Sequence, residues 1–239
     1  MNDQKTLAVA GKDISEKCRE SLLSLGFDLR ILPACRSLGK GVDTHADLML
    51  FPIGKKIFIY KDTADSLPAL SAELCARGYE LEQMSGAPRS EYPYDIGANC
   101  LSVGRFIIAK IKYTDEKIKK YAESNGYTLV NVNQGYARCT ACPVSENATV
   151  TADASIAKAA ESCGIDTLRI TGENVRLRGY PYGFIGGACG VFEDKIFFTG
   201  DLYSHPDGKK IEEFCRFHGK SAVSLSDEPL CDVGSIFFF

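Results

Sequence analysis

Ten cysteines and three histidines in a chain of 239 residues pose the chemical question. A cysteine thiolate is a strong nucleophile near neutral pH and a soft metal ligand, and a neighbouring histidine can carry protons in the same pH range. Several of the thiols fall in short runs shared with acids or glycines: Asp95-Ile-Gly-Ala-Asn99-Cys100, Arg138-Cys-Thr-Ala-Cys142, Gly186-Gly-Ala-Cys189 and Cys231-Asp232. His45-Ala-Asp47 adds an imidazole two residues from a carboxylate. Cys139 and Cys142 have the spacing of half a tetrahedral zinc site, but no second such pair occurs. The remaining ligands would have to come from Cys100, Cys189, Cys231 or His45, so no metal or cofactor is expected. Cys18, Cys75, Cys163 and Cys215 fall on predicted helices and Cys35 follows a predicted strand; these read as core or incidental thiols.

Composition limits what these groups can serve. Lys plus Arg total 28 against 31 for Asp plus Glu, a formal net charge of −3, which argues against a general binder of nucleic acid or anionic membranes. Apolar residues at 45% and charged residues at 25% are those of an ordinary globular chain. Apolar runs such as Phe106 to Ala109 and Ile236 to Phe239 are four residues long, against the roughly 18 that a membrane helix needs. Met1 to Gly11 contains only Leu7-Ala-Val-Ala10 as an apolar stretch, too short for a secretory core, so a cytoplasmic location and reduced thiols are expected.

The elements that must position these groups recur. Five stretches with helical spacing, Ser15 to Leu25, Pro68 to Arg77, Asp115 to Asn125, Asp153 to Cys163 and Asp207 to His218, each run into a glycine and then a short strand. The glycines are Gly26, Gly78, Gly126, Gly164 and Gly219, placed where a helix ends with φ > 0. Hairpin-like pairs of apolar runs follow: Asp47 to Phe51 with Ile57 to Tyr60, Cys100 to Val103 with Phe106 to Ala109, Cys142 to Val144 with Ala148 to Thr151, and Cys189 to Phe192 with Ile196 to Thr199. The fifth hairpin is split between the chain ends, so Thr6 to Gly11 is predicted to pair with the run that ends at Phe239. Tyr92-Pro-Tyr-Asp-Ile-Gly-Ala-Asn-Cys100 and Tyr180-Pro-Tyr-Gly-Phe-Ile-Gly-Gly-Ala-Cys189 match with one inserted residue, which supports true repetition. An ordinary doubly wound α/β sheet is the plainer alternative, but it has no need for five hairpins.

Five α/β units of about 48 residues resemble the pentein, or guanidino-group-modifying-enzyme, superfamily, whose fold is a five-bladed pseudo-fivefold α/β propeller. The resemblance covers residues 1–239 as one domain and rests on unit count, order and size, with weak residue identity. Asp95-Ile-Gly-Ala-Asn-Cys100 is also similar to a run in one blade of dimethylarginine hydrolases. The resemblance implies a cysteine thiolate that attacks a guanidinium carbon, a histidine that handles protons, and carboxylates that grip the planar cation.

Aligning the hairpins places Asp47, Cys100, Cys142, Cys189 and Cys231 at one equivalent position facing a shared axis, with His45, Asp95, Asn99, Cys139, Glu146 and Asp232 around them. Small thiols also suit a crowded axis for packing alone. Carrying the hydrolase order over with a circular shift makes His45 and Asp47 the His-x-Asp element and Cys142 the nucleophile, with Cys139 as its rival. Without the shift the nucleophile is Cys231. Asp95, Asn99, Cys100, Glu146, Cys189 and Asp232 are then the expected substrate-binding residues. The family's Gly-Gly-Asp element has its counterpart at Gly186-Gly187-Ala188, where alanine cannot hold a cation. The expected activity is therefore hydrolysis or transfer at a guanidino or amidino C–N bond of a small molecule, in a site that departs from the family's constellation. The other reading is a non-catalytic protein of the same fold, like the ribosome anti-association factor of archaea and eukaryotes. Tyr92, Tyr94, Tyr180 and Tyr182 either wall a pocket or cover the core. Gly183 to Gly190 reads as close backbone approach at the axis, and the lysines of Lys110 to Lys120 as a solvated face.

Overall fold

The structure, a computed structural model, describes residues 5–239, so the first four residues of the stretch Met1 to Gly11 lie outside it. One unit is built repeatedly: an inner strand turns back antiparallel into a middle strand, a helix follows, and an outer strand returns parallel to the middle one. Unit 1 begins with its middle strand β1 (Leu7–Gly11), then α1 (Glu16–Ser24) and outer β2 (Asp28–Leu32). Unit 2 has a short turn α2 (Ala46–Met49), inner β3 (Leu50–Ile53), middle β4 (Lys56–Ile59), α3 (Lys61–Ser66), α4 (Pro68–Ala76) and outer β5 (Glu80–Gln83). Unit 3 is β6 (Leu101–Val103), β7 (Phe106–Ala109), α5 (Glu116–Ser124) and β8 (Thr128–Asn131). Unit 4 is α6 (Ala137–Thr140), β9 (Ala141–Ser145), β10 (Ala148–Thr151), α7 (Ala154–Ser162) and β11 (Asp166–Arg169). Unit 5 is β12 (Cys189–Phe192), β13 (Lys195–Phe198), α8 (Gly208–Phe217) and β14 (Ser221–Ser224). The last strand, β15 (Ile236–Phe238), supplies the missing inner strand of unit 1.

The chain ends therefore pair as the split hairpin requires. Ala8 faces Phe238, and Leu7 and Phe239 exchange two backbone hydrogen bonds of 2.8 Å. The helix boundaries follow from the capping residues. Ser15, Asp115 and Asp153 each accept a backbone N–H of the first turn, and Gly26, Gly78, Gly126, Gly164 and Gly219 all leave their helices with φ between 70° and 92°. Middle strands are hydrogen-bonded on both sides and buried on both faces, which is why they read as unbroken apolar runs such as Phe106-Ile-Ile-Ala109.

Five apolar clusters hold the units to one another. The helix of each unit packs on the sheet of the unit before it. Leu70 and Leu74 of α4 lie against Leu7 and Val9; Ile118 and Ala122 of α5 lie against Phe51 and Phe58. Ile156 and Ala160 of α7 lie against Leu101 and Ile108, and Ile211 and Cys215 of α8 against Val144 and Val150. The succession returns to its start, because Cys18 and Leu22 of α1 pack with Phe197 of unit 5. Each such leucine contributes about 1.5–3 kcal/mol, and no unit can bury its own sheet without its neighbour's helix. A hollow of about 200 Å³ lined by residues of all five inner strands, from Phe51 and Ser102 to Pro143, Val191 and Phe237, marks their common axis. Among the described residues no helix is long and apolar enough to cross a membrane.

The inner strands of units 2 and 1 begin later than the hairpin alignment supposes, whereas β12 begins at the aligned Cys189 and β9 one residue before the aligned Cys142. Asp47 lies in α2, not in a strand, and Cys231 lies well before β15, in an isolated bridge to Arg176. Those offsets decide which residues meet at the axis.

Candidate functional site

The segments that precede the inner strands are stitched together residue by residue. Asp47 donates its backbone N–H to Gly234 O (3.0 Å), and the Asn99 amide donates to Asp47 O (3.2 Å). Arg138 N–H donates to Asn99 Oδ1 (2.8 Å), Gly187 N–H to Cys139 O (2.7 Å) and Ser235 N–H to Gly187 O (2.8 Å). This circuit passes once through every unit, so the side chains that it carries must converge. They are Asp47, Asn99, Cys139 and Ser235, with the bare backbone of Gly187 in the fifth place.

Cys139 is the centre of that group. Its Sγ lies 3.1 Å from both carboxylate oxygens of Asp47 and accepts from Asn99 Nδ2 at 3.1 Å. Ser235 Oγ donates to Asp47 Oδ2 (2.6 Å). Beside it, Asp232 accepts the backbone N–H groups of Gly234 and Phe184, both at 3.0 Å, and its Oδ1 is 3.8 Å from His45 Nε2. His45 is only 2% exposed, and its Nδ1 has no hydrogen-bond partner. A buried, unsatisfied ring nitrogen is costly in a purely structural histidine and is available to a reacting group.

Glycines make the convergence possible. A Cβ on Gly187 would stand 1.9 Å from Asp232 Oδ1, and one on Gly234, whose φ is 75°, would stand 2.3 Å from the His45 Cα. The glycine run between Gly183 and Gly190 thus serves close approach, as its sequence suggests.

Charge at the site is negative. Burial, then the carboxylates of Asp47 and Asp232, hold the Cys139 thiol well above its ordinary value. Burial likewise pushes Asp232 up to about 6, with His45 opposing and Asp47 adding to the rise. Donor atoms of His45, Asp47 and Cys139 lie within 4.8 Å of one another, a nitrogen, oxygen and sulfur set of the kind that can also hold a divalent cation.

A cavity of about 290 Å³ opens onto this cluster, with His45, Cys139 and Asp232 in its floor and Tyr136, Tyr180, Tyr182 and Phe184 in its walls. Asp95 stands behind one wall: the Tyr136 hydroxyl donates to its Oδ2 at 2.5 Å, and burial raises the Asp95 pKa. Of the four tyrosines singled out in the sequence, Tyr180 and Tyr182 line the cavity, whereas Tyr92 packs on Tyr136 and Tyr94 on Tyr113.

The structure thus brings His45, Asp47, Asn99, Cys139 and Asp232 together, with Asp95 one residue behind. It does not bring Cys100, Cys142, Cys189, Cys231 or Glu146 to the same place. Cys100 faces Thr114 in the core between units 2 and 3, where burial pushes its thiol up to about 12. Cys142 and Cys189 are fully buried in the cluster between units 4 and 5. Cys231 packs in the cluster between units 5 and 1, and burial raises it to about 11. Glu146 is exposed on the turn between β9 and β10. Ser235, Tyr136 and Phe184 escaped the sequence reading, because no spacing signal marks a serine just before a strand as axial.

Arg138, beside Cys139, points away from the cavity. Its guanidinium donates to Gly186 O (2.8 Å) and approaches Cys189 O (3.5 Å) and the Phe237 ring (5.7 Å), at the edge of the hollow among the inner strands.

A family model described as a family of unknown function, DUF6873, matches residues 9–237. The chain belongs to this family. No curated protein matches it. Among solved structures this DUF6873 chain is similar to DDAH from Pseudomonas aeruginosa, solved as a mutant complexed with citrulline, with a TM-score of 0.58 and 11% identity over 94% of this chain and 92% of that one. It is similar to SxtG, an amidinotransferase from Microseira wollei in the saxitoxin biosynthetic pathway, with a TM-score of 0.55 and 11% identity over 95% and 94% of the two chains. It is also similar to the agmatine deiminase of C. jejuni, with a TM-score of 0.55 and 9% identity over 93% and 87%. The DUF6873 chain therefore has the pentein fold, as the five repeated units imply.

Proposed function

We propose that this protein is a thiol-dependent hydrolase or transferase that acts on the C–N bond of a guanidino or amidino group, with Cys139 as nucleophile. The observation that carries the reading is the convergence of one thiol, one imidazole and one carboxylate on the floor of an aromatic-walled cavity, with a second carboxylate, Asp47, buried behind the sulfur. The names of the similar structures, an amidinotransferase and an agmatine deiminase among them, support it.

The electrostatics suit a cationic substrate. Flanked by Asp47 and Asp232, Cys139 stays a thiol in the free protein. A guanidinium or amidinium paired with Asp232 on the cavity floor brings the positive charge that makes the thiolate accessible. His45 then takes the thiol proton, and the sulfur attacks the central carbon to form a C–S bond. The tetrahedral adduct expels an amine or ammonia, which takes the proton from His45, and a thiouronium remains on Cys139. Water, or an acceptor amine in a transferase, adds to that carbon, gives its proton to His45, and the C–S bond breaks to release Cys139. Asn99 Nδ2, which touches the sulfur at 3.1 Å, stabilises the anion, as does Ser235 indirectly by holding Asp47.

Treatment of the folded protein with 2-chloroacetamidine, followed by peptide mass spectrometry, tests the assignment. Modification at Cys139, prevented by His45→Ala, is expected. Inertness of Cys139 in a protein that melts cooperatively would overturn it.

A further inference from the structure

We infer that the substrate carries its amidine or guanidine on an uncharged apolar or aromatic arm, and that amino-acid substrates such as arginine are excluded. The inference rests on the reading of the site given above and concerns the part of the cavity away from the sulfur. A guanidinium paired with Asp232 beside the Cys139 sulfur, with Asp47 buried behind that sulfur, directs its substituent along Tyr136, Tyr180, Tyr182 and Phe184. Among the described residues lining the cavity there is no lysine or arginine.

Three arginines adjoin lining residues in sequence: Arg176 is exposed and outside the lining, and the other two are committed elsewhere. Arg138 is turned to the Gly186 and Cys189 carbonyls, and Arg178 reaches Asp13 at 3.2 Å. Two of the three wall hydroxyls are engaged as well: Tyr136 donates to Asp95, and the Tyr180 hydroxyl approaches Lys40 O at 3.5 Å. A carboxylate on the arm would lose its water against aromatic faces and find no cation in return, which is strongly unfavourable. An apolar or aryl arm gains contact on those same faces. At about 290 Å³ the cavity takes a ligand of modest size, one planar cation with one ring or a short alkyl chain.

The experiment compares one warhead on two arms: chloroacetamidine carried on a benzyl group, and the same warhead on the side-chain nitrogen of ornithine. The second-order rate of Cys139 modification is read by peptide mass spectrometry, which separates it from the exposed Cys75. The benzyl form is expected to react at least about tenfold faster, and Tyr182→Arg, which places a cation at the partly exposed rim, to bring the ratio towards one. Equal rates, or a preference for the ornithine form, would overturn the substrate class while leaving Cys139 as the nucleophile. Failure of both compounds to modify Cys139 in folded protein would overturn the nucleophile assignment and the substrate class with it.

Discussion

One buried thiol, Cys139, and a pair of buried thiols, Cys142 and Cys189, lie on either side of Arg138, and they differ in everything but burial. Cys139 sits between carboxylates and an imidazole at the floor of a cavity. Cys142 and Cys189 sit in the apolar interface between units 4 and 5, with the Arg138 guanidinium 3.9 Å from Cys189 Sγ. Ionisation alone favours the pair. Burial opposes the Cys189 thiolate, but the Cys142 thiol and the Arg138 charge outweigh it and lower the Cys189 pKa, whereas Cys139 is held well above its usual value. Yet Cys189 is fully buried, and its sulfur is engaged with Gly186 O at 3.2 Å. A readily ionised thiol without a path for substrate is a structural group. A thiol that ionises only when a cation arrives is protected until its substrate is present.

The comparison breaks first at Cys139. Cys139→Ala is expected to abolish modification by 2-chloroacetamidine, while Cys142→Ala leaves the rate within about threefold; labelling that moved to Cys189 in either variant would invert the roles. Next comes the divider. Arg138→Leu removes the shortest of the hydrogen bonds to the buried Gly186 O, which keeps Cys189 Sγ and Ser235 Oγ at 3.2 Å, so urea denaturation should show a loss of about 1–3 kcal/mol. A loss under about 1 kcal/mol would mean that the guanidinium is not needed to hold the interface of units 4 and 5.

Gly187→Ala separates stability from chemistry. The added Cβ would displace Asp232, for a stability cost of about 1–3 kcal/mol, and the Cys139 labelling rate should fall further than this cost predicts because the carboxylate that faces His45 moves. A normal labelling rate would show that Asp232 has no part in holding the cation. The smallest expected effect tests charge: relative to a free thiol, Cys139 should prefer the cationic haloamidine over neutral iodoacetamide by about tenfold at neutral pH. Equal relative rates would remove the argument that the acids select a cation.

Much of the fold is legible in the chain because it is written locally. Ser15, Asp115 and Asp153 mark where helices begin, five glycines mark where they end, and runs such as Phe106 to Ala109 mark middle strands. The pairing of Leu7 with Phe239 is legible for a different reason, since a hairpin missing its second strand at one end and a spare strand at the other complete each other. His45, Asp47, Asn99, Asp95 and Asp232 are legible as site candidates from residue type within the repeat. Alignment of the repeats is less informative about the thiols, because α2 and α6 insert single helical turns before β3 and β9. A helical turn rotates successive side chains by roughly 100°, so residues at matching sequence positions face different ways. Cys139 then turns to the cavity and Cys142 to the core.

The sequence by itself determined the unit, its fivefold repetition and the types of group available for chemistry, since caps, turns and apolar periodicity depend on neighbours a few residues apart. Only the tertiary structure decided which thiol meets His45 and Asp47, where Arg138 points and what lines the approach. Those outcomes depend on hydrogen bonds such as Gly187 N–H to Cys139 O and Asp47 N–H to Gly234 O, which join residues of different units. No local pattern sets the rotation of one unit against the next; the packing of each helix on the preceding sheet does.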